Sequence, residues 1–209
     1  MPKYSCFNVF SKLCKAEFVE QSEKLLVAPL CLKKRVIQYM EEEIAYAKRG
    51  EPAYIGVKIN SLTDKEIIDK LIECSRAGVK VELVVRGICC LVPEIEGYTE
   101  NISVVSIVGR YLEHSRIYMF GTKERDTIYI SSADFMTRNM EKRVEVATPI
   151  LDESLKQCLR KMFQTLMTDN VKGRRLKADG IYVKKASLST EEPKVNAQEL
   201  FFEDAYLKK

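Results

Sequence analysis

Apolar residues return at every fourth position near the start of the chain, from Leu32 to Ile44. This spacing places them on one face of a helix that begins near Pro29 and ends at Gly50. The next apolar run, PAYIGVKI at 52–59, is short and is bounded by a proline and an asparagine. It therefore predicts a buried strand.

A second helix and a second strand follow directly. Thr63 and Glu66 have the spacing of a capping box, which predicts the start of a helix. The apolar run VKVELVVRG at 79–87 predicts the next strand. A strand, a helix and a strand within about 35 residues form a right-handed crossover, in which the two strands are parallel and end at the same edge of the sheet. Asn60 and Arg86, at those two ends, are expected to be neighbours.

The rest of the pattern predicts further strands and one long helix. Apolar runs of strand length lie at 102–108, 115–121, 127–134 and 144–150. A helix with apolar residues on one face is predicted at 152–169, with Asp152 as its N-cap. The expected fold class is α/β, with a mixed β-sheet flanked by helices.

The two ends of the chain differ in character from this central part. Residues 1–24 have apolar positions at helical spacing but too few of them to fold alone, so they are interpreted as the tail of a preceding domain. The segment after Asn170 is basic and irregular, and 187–209 is polar enough to form a tail. The domain itself is expected to span 25–186.

Composition and charge exclude some classes of protein. Hydrophobic residues make up 46% and charged residues 31% of the chain, which is typical of a globular domain. The net charge of +4 is too small to predict a nucleic-acid partner. The seven cysteines include no CxxC pair, so reduced thiols in a cytoplasmic protein are expected rather than zinc ligands or disulfides. No apolar run is long enough for a transmembrane helix, and no secretory leader is predicted.

One residue stands out as a candidate for chemistry, because His114 is the only histidine among 209 residues. Alternation along the predicted strand puts four side chains on one face: His114, Arg116, Tyr118 and Phe120. A histidine beside an arginine combines a nucleophile or proton carrier with a clamp for phosphate oxygens, which favours phosphoryl or phosphodiester chemistry. The alternative, a histidine held in a wall of the core, stays open at this point.

Polar residues near the end of the following strand add to this candidate site. The segment SSADFMTRNMEKR places small hydroxyls, a carboxylate and two arginines within reach of His114. These residues are Ser131, Ser132, Asp134, Arg138, Asn139 and Arg143.

The sequence now resembles a known family, the long, histidine-phosphorylated type of bacterial polyphosphate kinase. From about Leu25 to about Tyr182 the sequence is similar to the C-terminal segment of that family, with the matching stretches in the same order. The resemblance is carried by four stretches: VRGICCLVP, SIVGRYLEHSRIYMFG, YISSADFMTRNMEKRVEVATPI and DNVKGRRL.

The resemblance implies a fold similar to one half of a phospholipase D. That superfamily has HxKxxxxD and GSxN motifs, from which this chain departs. Arg116 stands at the lysine position, Gly121 at the aspartate position, and SSAD at 131–134 in place of GSxN. The departures speak against phospholipase or nuclease activity and are similar to those of the polyphosphate kinases.

The resemblance also implies a function and its site. The expected reaction is the reversible transfer of the ATP γ-phosphate to inorganic polyphosphate, through a phosphohistidine in a preceding domain outside this chain. His114 and Arg116 are then catalytic, and Arg86 and His114 bind ATP or phosphate. ATP or ADP and Mg²⁺ are the expected cofactors, with the metal ligands expected mainly from the missing upstream domain and none from this chain. The fragment alone is expected to be inactive.

Further residues are weaker candidates for binding polyphosphate or for supporting the site. They are Lys58, Asn60, Ser132, Asp134, Arg138, Asn139, Arg143 and Arg174. For Asn60 a turn or capping role is an equal alternative, and each arginine could instead form a salt bridge, for which Glu113, Glu141 and Glu145 are available. Gly87, after Arg86, is expected to let the backbone approach a ligand.

The implied partners are polyphosphate, ATP and the upstream domains of the same enzyme, in a full-length homo-oligomer without nucleic acid. The family resemblance adds a peripheral position at the inner membrane to the cytoplasmic expectation. Two other functions remain as alternatives, a phosphodiesterase of the phospholipase D type and a non-catalytic domain that binds polyphosphate.

Overall fold

The computed structural model describes residues 11, 12, 14, 15, 24–122, 125–185 and 193–207. The strands are β1 Leu26–Val27, β2 Tyr54–Ile59, β3 Lys80–Val85, β4 Ile102–Ile107, β5 Arg116–Phe120, β6 Thr127–Ser131, β7 Val146–Pro149, β8 Gly173–Leu176 and β9 Tyr182–Lys184. The helices of these described ranges, beyond the first few residues, are α1 Leu32–Lys48, α2 Lys65–Arg76, α3 Thr137–Glu141, α4 Glu153–Thr168 and α5 Ala197–Leu207. In this part of the chain no helix is both long and apolar enough to cross a membrane.

The nine strands form one mixed sheet in the order β1-β7-β6-β5-β2-β3-β4-β8-β9. The pairs β2–β3 and β3–β4 are parallel, which confirms the predicted crossover. On one side β5 joins β2 in antiparallel orientation, and β6, β7 and β1 continue the antiparallel pattern. On the other side β8 and β9 extend the sheet beyond β4. The predicted α/β class with a mixed sheet is confirmed.

Each face of the sheet packs against its own helices. Helices α1 and α2 bury Val36, Met40 and Leu71 against one face, and α4 buries Phe163 and Leu166 against the other. Strand β5 shows the expected alternation at its buried positions. Tyr118 and Phe120 belong to the first core, and Ile117 and Met119 to the second.

Two predicted helix starts have different outcomes. Asp152 caps α4 as predicted, because its Oδ1 accepts a hydrogen bond from the Leu155 amide at 3.0 Å. The predicted capping box of Thr63 is wrong, since the N-cap of α2 is Asp64, whose Oδ1 accepts from the Ile67 amide at 3.2 Å. The Thr63 amide instead donates to the Phe135 carbonyl at 2.8 Å, a long-range contact that spacing alone does not reveal.

The C-terminal part has more regular structure than the sequence predicts. The basic segment after Asn170 contains β8 and β9, which complete the edge of the sheet beside β4. Part of the segment predicted as a polar tail forms α5, whose first residues Ala197 and Gln198 are buried. Most of the predicted preceding tail at 1–24 lies outside the described residues, and the limits of the domain stay a prediction.

The loops at one edge of the sheet are joined to one another. The Leu62 amide donates to the Ile88 carbonyl at 2.8 Å, and the Cys90 amide donates to the Leu62 carbonyl at 2.9 Å. Leu62 also forms a bridge with Phe135. The segments that follow β2, β3 and β6 therefore form one continuous surface at the carboxyl edge of the parallel strands.

Candidate functional site

Four strand ends meet at this carboxyl edge. Asn60 follows β2 and Arg86 follows β3, while Arg116 begins β5 and Asp134 lies beyond the end of β6. Strand β5 runs antiparallel to β2 and β6, so its amino end reaches the edge where the others finish. The predicted neighbourhood of Asn60 and Arg86 is confirmed, because Arg86 Nε donates to Asn60 Oδ1 at 3.0 Å.

Asp134 is the centre of this cluster and is only 7% exposed. Its Oδ1 accepts from the Asn60 amide at 2.6 Å and from Asn60 Nδ2 at 3.1 Å. Arg116 Nε and one terminal nitrogen of Arg116 donate to Oδ1 at 3.2 Å and to Oδ2 at 3.0 Å. One buried carboxylate thus holds Arg116 in a bidentate pair and connects it, through Asn60, to Arg86.

The charge state of Asp134 follows from these contacts. Burial raises the pKa of the Asp134 carboxyl, whereas the hydrogen bonds and charge of Arg116 and the two donors of Asn60 lower it. The lowering is larger, so the pKa of Asp134 lies below its ordinary value. The carboxyl is therefore ionised at neutral pH and compensates the charge of Arg116.

The third nitrogen of Arg116 is directed to His114. It donates to the His114 carbonyl at 3.0 Å and lies 3.2 Å from His114 Nδ1. A guanidinium can only donate, so Nδ1 accepts this hydrogen bond and the neutral imidazole carries its proton on Nε2. Arg116 therefore selects the tautomer of His114 and orients its ring.

His114 itself is exposed and lies in the loop two residues before β5. The sequence predicts the strand at 115–121, with His114 just before it on the same face as Arg116, and β5 begins at Arg116. The predicted proximity of His114 and Arg116 is confirmed by the hydrogen bonds between them. The alternative of a histidine in a core wall is wrong, because the side chain is accessible to solvent.

Arg86 presents the open cationic group of the cluster. Only its Nε has a hydrogen-bond partner among residues 24–122 and the other described segments, so its two terminal nitrogens are available to a ligand. Gly87 also has a role within the fold, while its expected role in the approach of a ligand stays a prediction. A Cβ at Gly87 would lie 2.9 Å from the Asn60 carbonyl oxygen, so this glycine permits the close approach of β2 and β3 that aligns Asn60 with Arg86.

Lys58 is a buried cation behind His114, with only 1% of its surface exposed. Its Nζ donates to the carbonyls of Glu113 at 3.3 Å and Ser115 at 3.0 Å, and it pairs with Glu113 Oε2 at 3.5 Å. Burial lowers the pKa of Lys58, and the charges of Arg86 and Arg116 lower it further. Glu113 raises it, but the net shift is downward. Lys58 thus binds the carbonyls of the two residues on either side of His114. Because it is buried, it is not accessible to a polymer.

The remaining candidates from the sequence lie outside this cluster. Ser132 and Asn139 both donate to the buried carboxylate of Glu145, with Asn139 Nδ2 at 2.5 Å. Asn139 is itself buried, whereas Ser132 is exposed. The other three candidates, Arg138, Arg143 and Arg174, have exposed side chains. Within the described segments no hydrogen bond or ion pair connects these arginines to Asp134 or His114, and a common basic wall remains a prediction.

The cluster does not fit a metal ion from its own residues. The described part of the chain contains no group of three His, Cys, Asp or Glu side chains that could hold one. The carboxylate of Asp134 already accepts hydrogen bonds from Arg116 and Asn60 on both oxygens. Any Mg²⁺ that serves this site would need ligands beyond these residues.

Gln198 and the carbonyl of Ser115 are contacts of the site that sequence reasoning missed. Gln198 hydrogen-bonds to Tyr111 and Glu113, which precede His114. No sequence pattern near Tyr111 or Gln198 indicates this contact, because the two residues are 87 positions apart in the chain. Only the paired strands and the docked helix bring the two together.

Comparisons with known proteins identify the family of this chain. Residues 25–198 match the model of a protein family described as polyphosphate kinase C-terminal domain 2. The polyphosphate kinase of Bacillus cereus is 50% identical over 182 residues, which are 87% of this chain and 26% of that protein. The chain thus spans about a quarter of the length of the curated relatives it matches.

Solved structures give the same result for the fold. The crystal structure of polyphosphate kinase from Porphyromonas gingivalis superposes with a TM-score of 0.89 at 35% identity and covers 98% of this chain and 31% of that one. The phospholipase D family member Nuc from Salmonella typhimurium, at 15% identity, has a TM-score of 0.54 over 74% of this chain and 97% of that one. The second comparison concerns the fold alone and confirms the predicted phospholipase D-like architecture.

Proposed function

Because this chain belongs to the polyphosphate kinase family, we propose that it is the C-terminal catalytic domain of such a kinase. In this proposal it acts in the reversible transfer of the γ-phosphate of ATP to inorganic polyphosphate. The observation that carries the proposal is the position of Arg116, which is held by the buried Asp134 and directed to the exposed His114. Because Arg116 donates to Nδ1 of His114, the ring carries its proton on Nε2, which faces away from Arg116.

The geometry suggests a division of labour among the side chains. In the forward reaction, His114 Nε2–H would donate to an oxygen of the transferring phosphate as an acid or charge stabiliser. In the reverse reaction, the same nitrogen would act as a base. Arg116 would act mainly by orienting the ring, since all three of its nitrogens already have partners in the protein. Arg86, whose terminal nitrogens have no partner among the described residues, would bind nucleotide phosphates.

Cofactors and partners follow from the same proposal. ATP and ADP would bind near Arg86 and His114, and Mg²⁺ would be held mainly by upstream domains of the same enzyme. The exposed arginines 138, 143 and 174 would face the polymer, and binding there would weaken as salt is added. A homo-oligomer of the complete enzyme and a cytoplasmic location are parts of the proposal.

A phosphodiesterase of the phospholipase D type fits the site less well. Gly121, at the position of the motif aspartate, has a φ of +86° and lies where a Cβ would be 2.8 Å from the Arg125 carbonyl oxygen. A side chain there would be strained, so the turn after β5 requires glycine and cannot supply the aspartate of the phospholipase D motif.

The proposal predicts that the chain alone makes no polymer but completes a larger enzyme. The decisive protein is a chimera in which this chain replaces the matching quarter of the Bacillus cereus polyphosphate kinase. With labelled ATP and Mg²⁺, the chimera should synthesise polyphosphate, and the isolated chain should neither synthesise it nor become labelled. Stable acid-labile phosphate on His114 of the isolated chain, or a folded chimera without activity, would contradict the proposal.

Loss of Arg86 is predicted to weaken phosphate binding by the chain itself. The Arg86→Ala variant should bind ATP or short polyphosphate about 1.5 to 3 kcal/mol more weakly, the range for a hydrogen bond to a charged group. Calorimetry at low salt measures the difference. The control is Arg49→Ala, which removes the same charge at the end of α1 near the opposite edge of the sheet, where Arg49 pairs with Glu51. Equal binding by the Arg86→Ala variant and the parent chain would remove Arg86 from the site.

A further inference from the structure

The loop that carries His114 is attached to helix α5 by one buried side chain. Gln198, only 5% exposed, accepts from the Tyr111 amide through Oε1 at 3.1 Å and donates to the Tyr111 carbonyl through Nε2 at 2.8 Å. The same Nε2 donates to Glu113 Oε1 at 3.2 Å. One amide therefore satisfies both backbone groups of Tyr111 and one carboxylate oxygen of the residue before His114.

The fit of Gln198 against this loop is tight. A Cβ built on Gly109 would lie 2.3 Å from Gln198 Oε1 and 2.9 Å from its amide carbon. Gly109 is therefore the residue that lets the loop approach α5 closely enough for the hydrogen bonds to form. Tyr111 adds an aromatic contact with Phe202 of α5, with parallel rings whose centroids are 6.1 Å apart.

The amino end of α5 is itself fixed to the core. The fully buried Asp169 accepts from the Ala197 amide through Oδ2 at 2.9 Å, next to Gln198. Its Oδ1 accepts from the amides of Val171, Lys172 and Gly173. Asn170 binds the segment before the helix through the Val195 amide at 2.8 Å. Gln198 thus stands on a rigid base and not on a loose end.

A continuous set of contacts leads from this base to the imidazole. Glu113 connects Gln198, through Oε1, with the buried Nζ of Lys58, which lies 3.5 Å from Oε2. Lys58 also binds the carbonyls of Glu113 and Ser115 on either side of His114. The loop around His114 is therefore held from two sides, by Lys58 of β2 at Glu113 and Ser115 and by Gln198 of α5 at Tyr111 and Glu113.

We propose that Gln198 is a positioning residue for His114, so that helix α5 is a working part of the site rather than a tail. The inference rests on the proposed function for its catalytic consequence, but the positioning itself is independent of it. Catalytic groups must be held within fractions of an ångström, and small displacements can cost up to about 100-fold in rate. Gln198 supplies part of that restraint without contact with the substrate.

The chain offers an unusually direct probe of positioning, because it contains one histidine. With isotope-labelled histidine, the nuclear magnetic resonance signals of the imidazole belong to His114 alone and report its tautomer. The parent chain should show one sharp set of signals with the proton on Nε2. Gln198→Met, which keeps the length of the side chain but not its hydrogen bonds, should broaden or split these signals.

Two further variants make the result interpretable. Gly109→Ala acts from the loop side of the same contact and should change the His114 signals in the same way. Glu199→Gln alters the exposed neighbour of Gln198 on α5 and should leave them unchanged. His114 signals that superpose on those of the parent chain in folded Gln198→Met and Gly109→Ala variants would overturn the inference.

The activity of the chimera then separates this inference from the proposed function. There Gln198→Met should lower kcat about 10-fold or more and leave the KM for ATP within about 2-fold, since Gln198 does not touch the substrate. Altered His114 signals with an unchanged kcat would retain the contact but contradict the role of His114 in the reaction. Unaltered His114 signals in Gln198→Met, together with a kcat that still falls in His114→Ala, would retain the proposed function and contradict the role of Gln198.

Discussion

Replacing His114 with alanine should lower the rate of phosphoryl transfer by the chimeric enzyme about 100-fold or more, in both directions. The reason is that the proposal assigns proton transfer to the exposed imidazole, and general acid–base catalysis contributes a factor of this size. The fold should be retained, because the side chain is outside both hydrophobic cores and its loss leaves no cavity. Rates of polymer synthesis and of ATP formation from polymer, with the thermal midpoint, measure both parts.

The matched control for this variant is Ser115→Ala. Ser115 is exposed and adjacent to His114, and its contact with Lys58 uses the backbone carbonyl, which alanine keeps. Its rates should stay within about 2-fold of the parent. A His114→Ala enzyme with near-normal rates would show that the proton is carried elsewhere.

Removal of the Asp134 carboxylate should have the largest effect on stability. Asp134→Ala is expected to lower the free energy of unfolding of the chain by about 3–5 kcal/mol, the cost of breaking a buried ion pair by removing one partner. Arg116 would keep a largely buried charge without its carboxylate, and the Asn60 amide would lose its acceptor. Urea unfolding measures the change. Asp69→Ala, which removes an exposed carboxylate paired with Lys65, should cost at most about 1 kcal/mol.

The same carboxylate predicts the direction of a pH effect. The pKa of Asp134 is lower in the folded chain than in the unfolded one, where it is about 3.9. Its stabilisation is therefore complete above that value and is lost as the pH falls through the lower folded pKa. The difference in unfolding free energy between the parent and Asp134→Ala should thus be constant near neutral pH and shrink in acid. A difference that grows in acid would contradict the assignment.

Local patterns were sufficient for the part of the fold that depends on local order. The crossover of β2, α2 and β3 follows from alternating apolar runs, and it places Asn60 beside Arg86 without further information. The N-cap at Asp152 and the two faces of β5 are likewise properties of neighbouring residues. For the same reason the spacing of His114 and Arg116 predicts their contact, although His114 lies before the strand.

Contacts between distant segments were not accessible from pattern. The Phe135 carbonyl accepts from the amides of both Thr63 and Asp64, which fixes the segment before α2 through a distant part of the chain. The apolar residues of α5 do not line one face, so its sequence does not predict a helix packed on the core. The helix is fixed by contacts with Asp169 and Tyr111, which lie in distant segments. The arginines at 138, 143 and 174 are exposed, as a wall for a phosphate polymer requires, but whether they act together stays a prediction.

The central claim is that His114 acts in phosphoryl transfer and not in the structure, and the His114→Gln chimera tests it most directly. An amide can hydrogen-bond a phosphate oxygen and accept from Arg116, but it cannot carry a proton. The account predicts a thermal midpoint within about 2 °C of the parent and a rate reduced about 100-fold or more. A His114→Gln enzyme that is destabilised yet retains most of its rate would contradict the account and make this histidine a structural residue.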